Sequence, residues 1–180
     1  QGGDNSCSQY AVLGLQAAET AGVRAPRATW ERAAKWFREG HNPGRGWGYG
    51  QRGDDTGSMT TAGLAGLAVA RFHLGGEDPA ARRALRTGVD WLGRNFLLAA
   101  NPCKKNYHHY YLYGLERAGR LLDKEFLGVH EWYPEGAKYL VGVQAGDGSW
   151  SSPVDQEPFL DTSYALLFLT KATEKLGVKA

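Results

Sequence analysis

The chain has 180 residues, enough for one domain with a real hydrophobic core, and the whole span 1–180 is read as a single domain. It is 42% apolar and 22% charged, with a net charge of +2 and no dense Lys/Arg run, so nothing in the charge points to nucleic acid. No apolar stretch approaches the roughly 20 residues a transmembrane helix needs.

Glycine (25 residues) and aromatics (6 Trp, 9 Tyr, 6 Phe) are both abundant and recur in step, the mark of an internal repeat. In chain order, four segments look alike: Cys7–Leu15, Met59–Leu67, Tyr107–Leu115 and Asp161–Leu169. They follow one another at a period of about 50 residues. Each opens with small polar or hydrogen-bonding residues, natural N-caps, and continues as a run that is apolar nearly all round. Four mostly buried helices are expected there.

Between them lie three segments of another kind: about Arg27 to Arg38 after Pro26, about Pro79 to Leu98 after Asp78, and about Trp132 to Val143. Asp78-Pro79 is a cap followed by proline at the first helical position. In this segment Ala84, Val89, Leu92 and Phe96 share a stripe, while Arg82, Arg83, Arg86 and Arg94 stay wet. These helices are amphipathic, and Trp36, Trp91 and Tyr139 recur along them with the same period. The expected fold is all-α: an inner layer of about four helices and an outer layer of about three, with neighbouring hairpins burying one another. Period-2 alternation, the signature of strands, is absent.

From Tyr139 to Trp150 the chain reads aromatic, aliphatic, three residues, Gln144, three residues, Gly148-Ser149-Trp150. A weaker copy runs through Trp36, Phe37, His41 and Trp47, with His in the Gln place; the copy around Trp91 lacks the Gln-to-Trp end. The pattern resembles the QW motif of squalene-hopene cyclases, and the repeat as a whole resembles the α/α-toroid of those enzymes and of protein prenyltransferases. It is also similar to bacterial prenyltransferase-like repeat proteins, through Gly3-Asp4-Asn5-Ser6, Tyr110 to Arg117 and Asp161-Thr162-Ser163. The resemblance implies a partial ring, because four inner and three outer helices are fewer than a full toroid carries. It implies in turn a homo-oligomer or a partner segment that completes the ring. The start at Gln1 without Met implies a processed form or an excised piece; the compartment stays open, the resemblance being compatible with the bacterial cytoplasm and with the cell envelope.

Two constellations are candidates for chemistry. Gly53-Asp54-Asp55-Thr56 resembles the Asp-rich acid motif of class II terpene cyclases, with Asp54 in the place of the proton donor and Asp55 after it. Arg52 replaces the motif's first Asp, and a neighbouring cation favours the ionised carboxylate, the wrong state for a strong acid. The other constellation is His108, His109, Asp161 and Cys7, which resembles the zinc site of protein prenyltransferases; Ser163 stands where that site has its Cys. Zinc is thus the one metal implied, and no organic cofactor motif is present. Asp54, Asp55 and Asp161 are the candidate catalytic residues. Tyr10, Tyr110, Tyr111, Tyr113, Tyr164 and Trp47 are the candidate lining for an apolar or isoprenoid ligand. Cys7 and Cys103 are either bridged or free. Two further readings stand beside the enzyme: a non-catalytic repeat module for binding or interaction, and a carbohydrate-processing α/α-barrel. Glu116-Arg117 is read as an ion pair at a helix contact.

Overall fold

The structure is a computed structural model describing residues 3–155 and 157–177. The described residues are all-α apart from one pair of two-residue strands. The helices are α1 (Asn5–Thr20), α2 (Arg27–Gly40), α3 (Gly57–Leu74), α4 (Pro79–Arg94), α5 (His108–Leu121), α6 (Trp132–Val143) and α7 (Pro158–Leu169). None is long and apolar enough to cross a membrane.

Local chemistry explains most of the starts. Asp4 caps α1 by accepting from the Cys7 N–H at 2.8 Å, Thr56 caps α3 through the Met59 N–H at 3.2 Å, and Asp78 caps α4 through the Ala81 N–H at 2.9 Å. Two bounds depart from expectation. Helix α4 stops at Arg94, before Leu98, because Asn95 turns back and donates to the Trp91 carbonyl from both its backbone N–H (3.0 Å) and its side-chain amide (2.9 Å). Phe96 therefore leaves the helical stripe and stacks on His130, with ring centroids 4.2 Å apart. Helix α7 starts at Pro158, so Asp161 lies one turn inside it and is not its cap.

The unexpected strands, β1 (Phe126–Leu127) and β2 (His130–Glu131), pair antiparallel, with Leu127 opposite His130. Gly128 makes the turn at φ +64°, and its backbone lies directly against Gly93 of α4, where a side chain on either residue would force the elements apart.

The odd-numbered helices pack in series, α1 on α3, α3 on α5 and α5 on α7; α2 and α4 cover α3, while α6 covers α5 and α7. Helix α3 is at the centre, and every residue from Gly57 to Ala70 is buried. Such close packing needs small residues at the crossings: Gly63 faces the Trp47 ring, Gly66 the Phe37 ring, and Gly114 of α5 the Thr61 side chain. The two end helices of the series are the least covered: α1 buries only Asn5, Gln9 and Val12, and α7 only Asp161, Ala165 and Phe168, leaving Phe159 82% exposed.

The two Gln-to-Trp segments form the same structure. The indole N–H of Trp47 donates to the Phe37 carbonyl at 2.7 Å, and that of Trp150 to the Leu140 carbonyl at 2.8 Å. The backbone N–H of Trp47 donates to Thr60 Oγ1 at 3.1 Å, and that of Trp150 to Thr162 Oγ1 at 3.0 Å. Each Trp thus ties the end of one even-numbered helix to the start of the next odd-numbered one, a task suited to a large apolar ring with one polar edge. Gln144 closes its own turn, donating to the Gly148 carbonyl at 2.9 Å. His41, in the Gln place, instead meets Thr87 Oγ1 of α4 at 2.9 Å.

Candidate functional site

Three crossover loops carry the chain from an even-numbered helix to the next odd-numbered one, and each also closes the start of the preceding odd-numbered helix. The Asn5 N–H donates to the Tyr49 carbonyl at 2.8 Å. The Gly57 N–H donates to the Pro102 carbonyl at 2.9 Å, and the Ser58 N–H to Asn101 Oδ1 at 2.9 Å. The Tyr107 and His108 N–H groups donate to the Asp155 carboxylate at 2.7 and 3.1 Å. Helix starts leave N–H groups without partners, and here side chains and carbonyls remote in sequence supply them. The stitching gathers the beginnings of α1, α3, α5 and α7 on one rim.

On this rim opens a cleft of about 780 Å³ whose lining includes Tyr10, Asp54, Met59, Tyr110, Leu160 and Tyr164. A second hollow of about 700 Å³ adjoins it, sharing Tyr107, Tyr110, Leu160 and Tyr164 and adding Asp155 and Asp161. Of the expected lining, Tyr10, Tyr110, Tyr113 and Tyr164 come together. Tyr110 and Tyr164 have ring centroids 5.7 Å apart, Tyr113 and Tyr164 stack at 5.8 Å, and Tyr10 and Tyr110 are 6.4 Å apart. Tyr111 and Trp47 lie elsewhere, both fully buried in the core, with Tyr111 packed against Gly57.

The acidic candidates separate. Asp54 is exposed on the cleft lining. Asp55 is buried, and its contacts run to Asn42 Nδ2 at 2.6 Å and Arg45 Nε at 2.6 Å, which holds the 42–55 loop. Asp161 is buried with one oxygen accepting from the Ser152 N–H at 2.6 Å and the other 3.0 Å from His109 Nδ1. The His109 contact lies off the line of a good hydrogen bond, and Nε2 has no partner among the described residues.

Of the zinc candidates, His108 donates from Nε2 to the Leu98 carbonyl at 2.7 Å, and its ring lies 4.7 Å from that of His109. Cys7 is a free, exposed thiol that the Asp4 carboxylate, hydrogen-bonded to it, holds above the ordinary range. Among the described residues no three His, Cys, Asp or Glu side chains converge as a metal would require. Cys103 is free as well, so the two cysteines are not bridged.

Burial, and secondarily His108, pushes the His109 imidazole below its ordinary value, against the pull of Asp161. Burial also lowers His41 and His73. A histidine with a lowered folded pKa is neutral in the fold while the unfolded chain takes up a proton below about 6.5. Stability conferred by these residues is therefore present above pH 6.5 and lost as the pH falls below it. Urea denaturation at pH 7.5 and pH 5.5 checks this. The loss on acidification is expected to be smaller in His109→Asn than in the wild type, and an equal loss would rule out a contribution from His109.

The sequence reading missed three participants. Asn101 and Asp155 carry no local signal, since each caps a helix that precedes it by dozens of residues. Arg117 did carry one: it falls on the same face of α5 as Tyr110 and Tyr113, a charge on an aromatic stripe. The expected Glu116–Arg117 ion pair does not form. The Glu116 carboxylate instead accepts from the Thr173 N–H at 3.1 Å and the Thr173 hydroxyl at 2.6 Å.

Compared with protein-family models, curated proteins and solved structures, the chain matches none.

Proposed function

We propose that the chain is a repeat domain of the squalene-cyclase and protein-prenyltransferase type, a partial α/α-toroid, and that its rim cleft binds an elongated apolar ligand of the isoprenoid kind. The serial packing of the odd-numbered helices beneath the even-numbered ones supports the toroid reading, as does the duplicated Trp tie. The ligand reading rests on one observation: a cleft of about 780 Å³ walled by tyrosines from three different helices, within the size range of small-molecule sites.

Binding without catalysis is the form of this reading that the side chains favour. Protonating an alkene needs a carboxylic acid in a dry cavity, and Asp54 stands in the open while Asp55 is committed to Asn42 and Arg45. Glycoside hydrolysis needs two carboxyl groups facing a substrate, and here Asp155 caps α5 and Asp161 is held by Ser152 and His109.

Thermal unfolding with farnesol or geranylgeraniol is the test. A ligand at a hundred times its Kd stabilises by about 2.7 kcal/mol, a rise of several degrees in Tm. The expected result is such a rise in the wild type and its loss in Tyr164→Ser. No rise, together with no displacement of a fluorescent apolar probe, would sink the reading.

A further inference from the structure

We infer that the cleft receives the carboxylate of a long-chain acid, with Arg117 as its counter-ion. The inference rests on the cleft reading above and adds the head group to it.

Arg117 is 1% exposed and among the largest fully buried side chains of the protein. Among the described residues no Asp or Glu forms a salt bridge with it, and its Nε and Nη1 have no hydrogen-bond acceptor. The nearest carboxylate along the chain, Glu116, is buried too and feels the Arg117 charge, but its oxygens accept from Thr173 and not from the guanidinium. What surrounds the guanidinium is aromatic: the ring centres of Tyr113, Tyr10 and Tyr110 lie 4.3, 5.1 and 5.9 Å from its central carbon.

A cation taken out of water loses several kcal/mol of hydration, and an aromatic face returns about 0.5–2 kcal/mol. Rings can offset part of that loss, but they accept no hydrogen bond in the plane of the guanidinium, so its unpaired N–H groups remain. A second buried polar atom without a partner, Gln9 Oε1, belongs to the side chain whose amide holds the Tyr110 hydroxyl. Behind the Tyr10 and Tyr110 wall of the cleft therefore lie one buried positive charge and spare hydrogen-bonding capacity.

The charge lies one ring away from the cleft. Tyr10 and Tyr110 line the cleft on one side and face Arg117 on the other. Tyr10, 42% exposed, is the ring that the proposal requires to swing aside. An anionic head group entering there meets the guanidinium while its apolar tail lies along Tyr164 and Leu160. A carboxylate matches one buried cation in charge. A diphosphate would bring excess negative charge into the same aromatic surroundings, where Arg117 is the one buried Lys or Arg among the described residues and Lys104 of the lining stands exposed to water.

The experiment compares head groups on a common tail. Binding of laurate, dodecanol and dodecyltrimethylammonium to the wild-type chain is measured by calorimetry at pH 7.5 below their micelle concentrations, with farnesyl diphosphate as a fourth ligand. Laurate is expected to bind one to one and at least about ten-fold more tightly than either twelve-carbon analogue, equivalent to about 1.4 kcal/mol. Arg117→Gln is expected to bring laurate down to the level of dodecanol. Equal affinity of the three twelve-carbon ligands would overturn the assignment of Arg117 and leave the apolar cleft standing. Tighter binding of the diphosphate than of laurate would overturn the carboxylate. No binding of any ligand would overturn the cleft reading together with this one. Should Arg117→Gln fail to fold, the head-group series on the wild type decides alone.

Discussion

Trp47→Ala is expected to lower the melting temperature by about 6–20 °C. The Trp47 ring is fully buried and lies between Gly63 of α3 and Gly88 of α4. Its indole N–H satisfies the Phe37 carbonyl at the end of α2, and its backbone N–H is held by Thr60 at the start of α3. Removing the ring opens a cavity bordered by two glycines, which have no side chains to fill it. Losses of about 3–5 kcal/mol are usual for Trp→Ala in a core, and each kcal/mol is worth about 2–4 °C at this chain length. Trp47→Phe separates the two contributions. It keeps most of the ring and orphans the Phe37 carbonyl, so it is expected to cost about 1–3 kcal/mol. Tyr49→Ala is the control, since that side chain is 62% exposed and should leave stability nearly unchanged. Calorimetric melting of the three variants decides; a Trp47→Ala protein that melts with the wild type would show that the Trp tie does not hold α2 to α3.

The second large effect reverses an ordinary rule. Glycine to alanine inside a helix usually stabilises by about 1 kcal/mol, because alanine loses less backbone entropy. Gly14 of α1 has nothing within 4 Å of an added Cβ, and Gly14→Ala is expected to follow the rule. Gly63→Ala and Gly66→Ala are expected to do the opposite. Their Cβ atoms would fall inside the Trp47 and Phe37 rings, and neither ring has anywhere to go. Trp47 is pinned at its nitrogen and backed by Gly88, while Phe37 is fully buried. Overpacking of this kind costs about 1–3 kcal/mol beyond the propensity gain. Urea midpoints should therefore rise for Gly14→Ala and fall for both α3 variants. A rise in all three would mean that α2 and α3 sit further apart than the structure places them.

Both predictions depend on features of different legibility. The period of the apolar segments and the amphipathic stripes made all seven helices readable, because a helix buried on most faces and one buried on a single stripe have distinct residue patterns. The Asp78 cap was readable as well, since the donor it satisfies lies three residues away, whereas Asp4 and Thr56 cap α1 and α3 upstream of the segment openings where the caps were expected. The Trp ties were legible as a motif, though not their partners, Thr60 and Thr162. The strand pair at 126–131 was missed: two residues per strand give no period to detect, and what holds them is the backbone of Gly93.

At the candidate site the division is sharper. The tyrosines of α5 announce themselves by helical spacing, but which of them face a cleft and which face the core does not follow from it. Tyr111 turns inward to Gly57, and Tyr110 and Tyr113 outward to Tyr164, because α3 occupies one side of α5 and α7 only part of the other. Glu116 and Arg117 are neighbours in sequence with opposite charges, yet adjacent helical positions point about 100° apart, so Thr173 takes one and three tyrosine rings take the other. Amino-acid order alone determined about where the seven helices lie and that Asp78 caps α4, because those signals are local along the chain. Only the packing of the odd-numbered helices against one another decided which polar groups lost their water without finding a partner, because desolvation is a property of everything that surrounds a group and not of its neighbours along the chain.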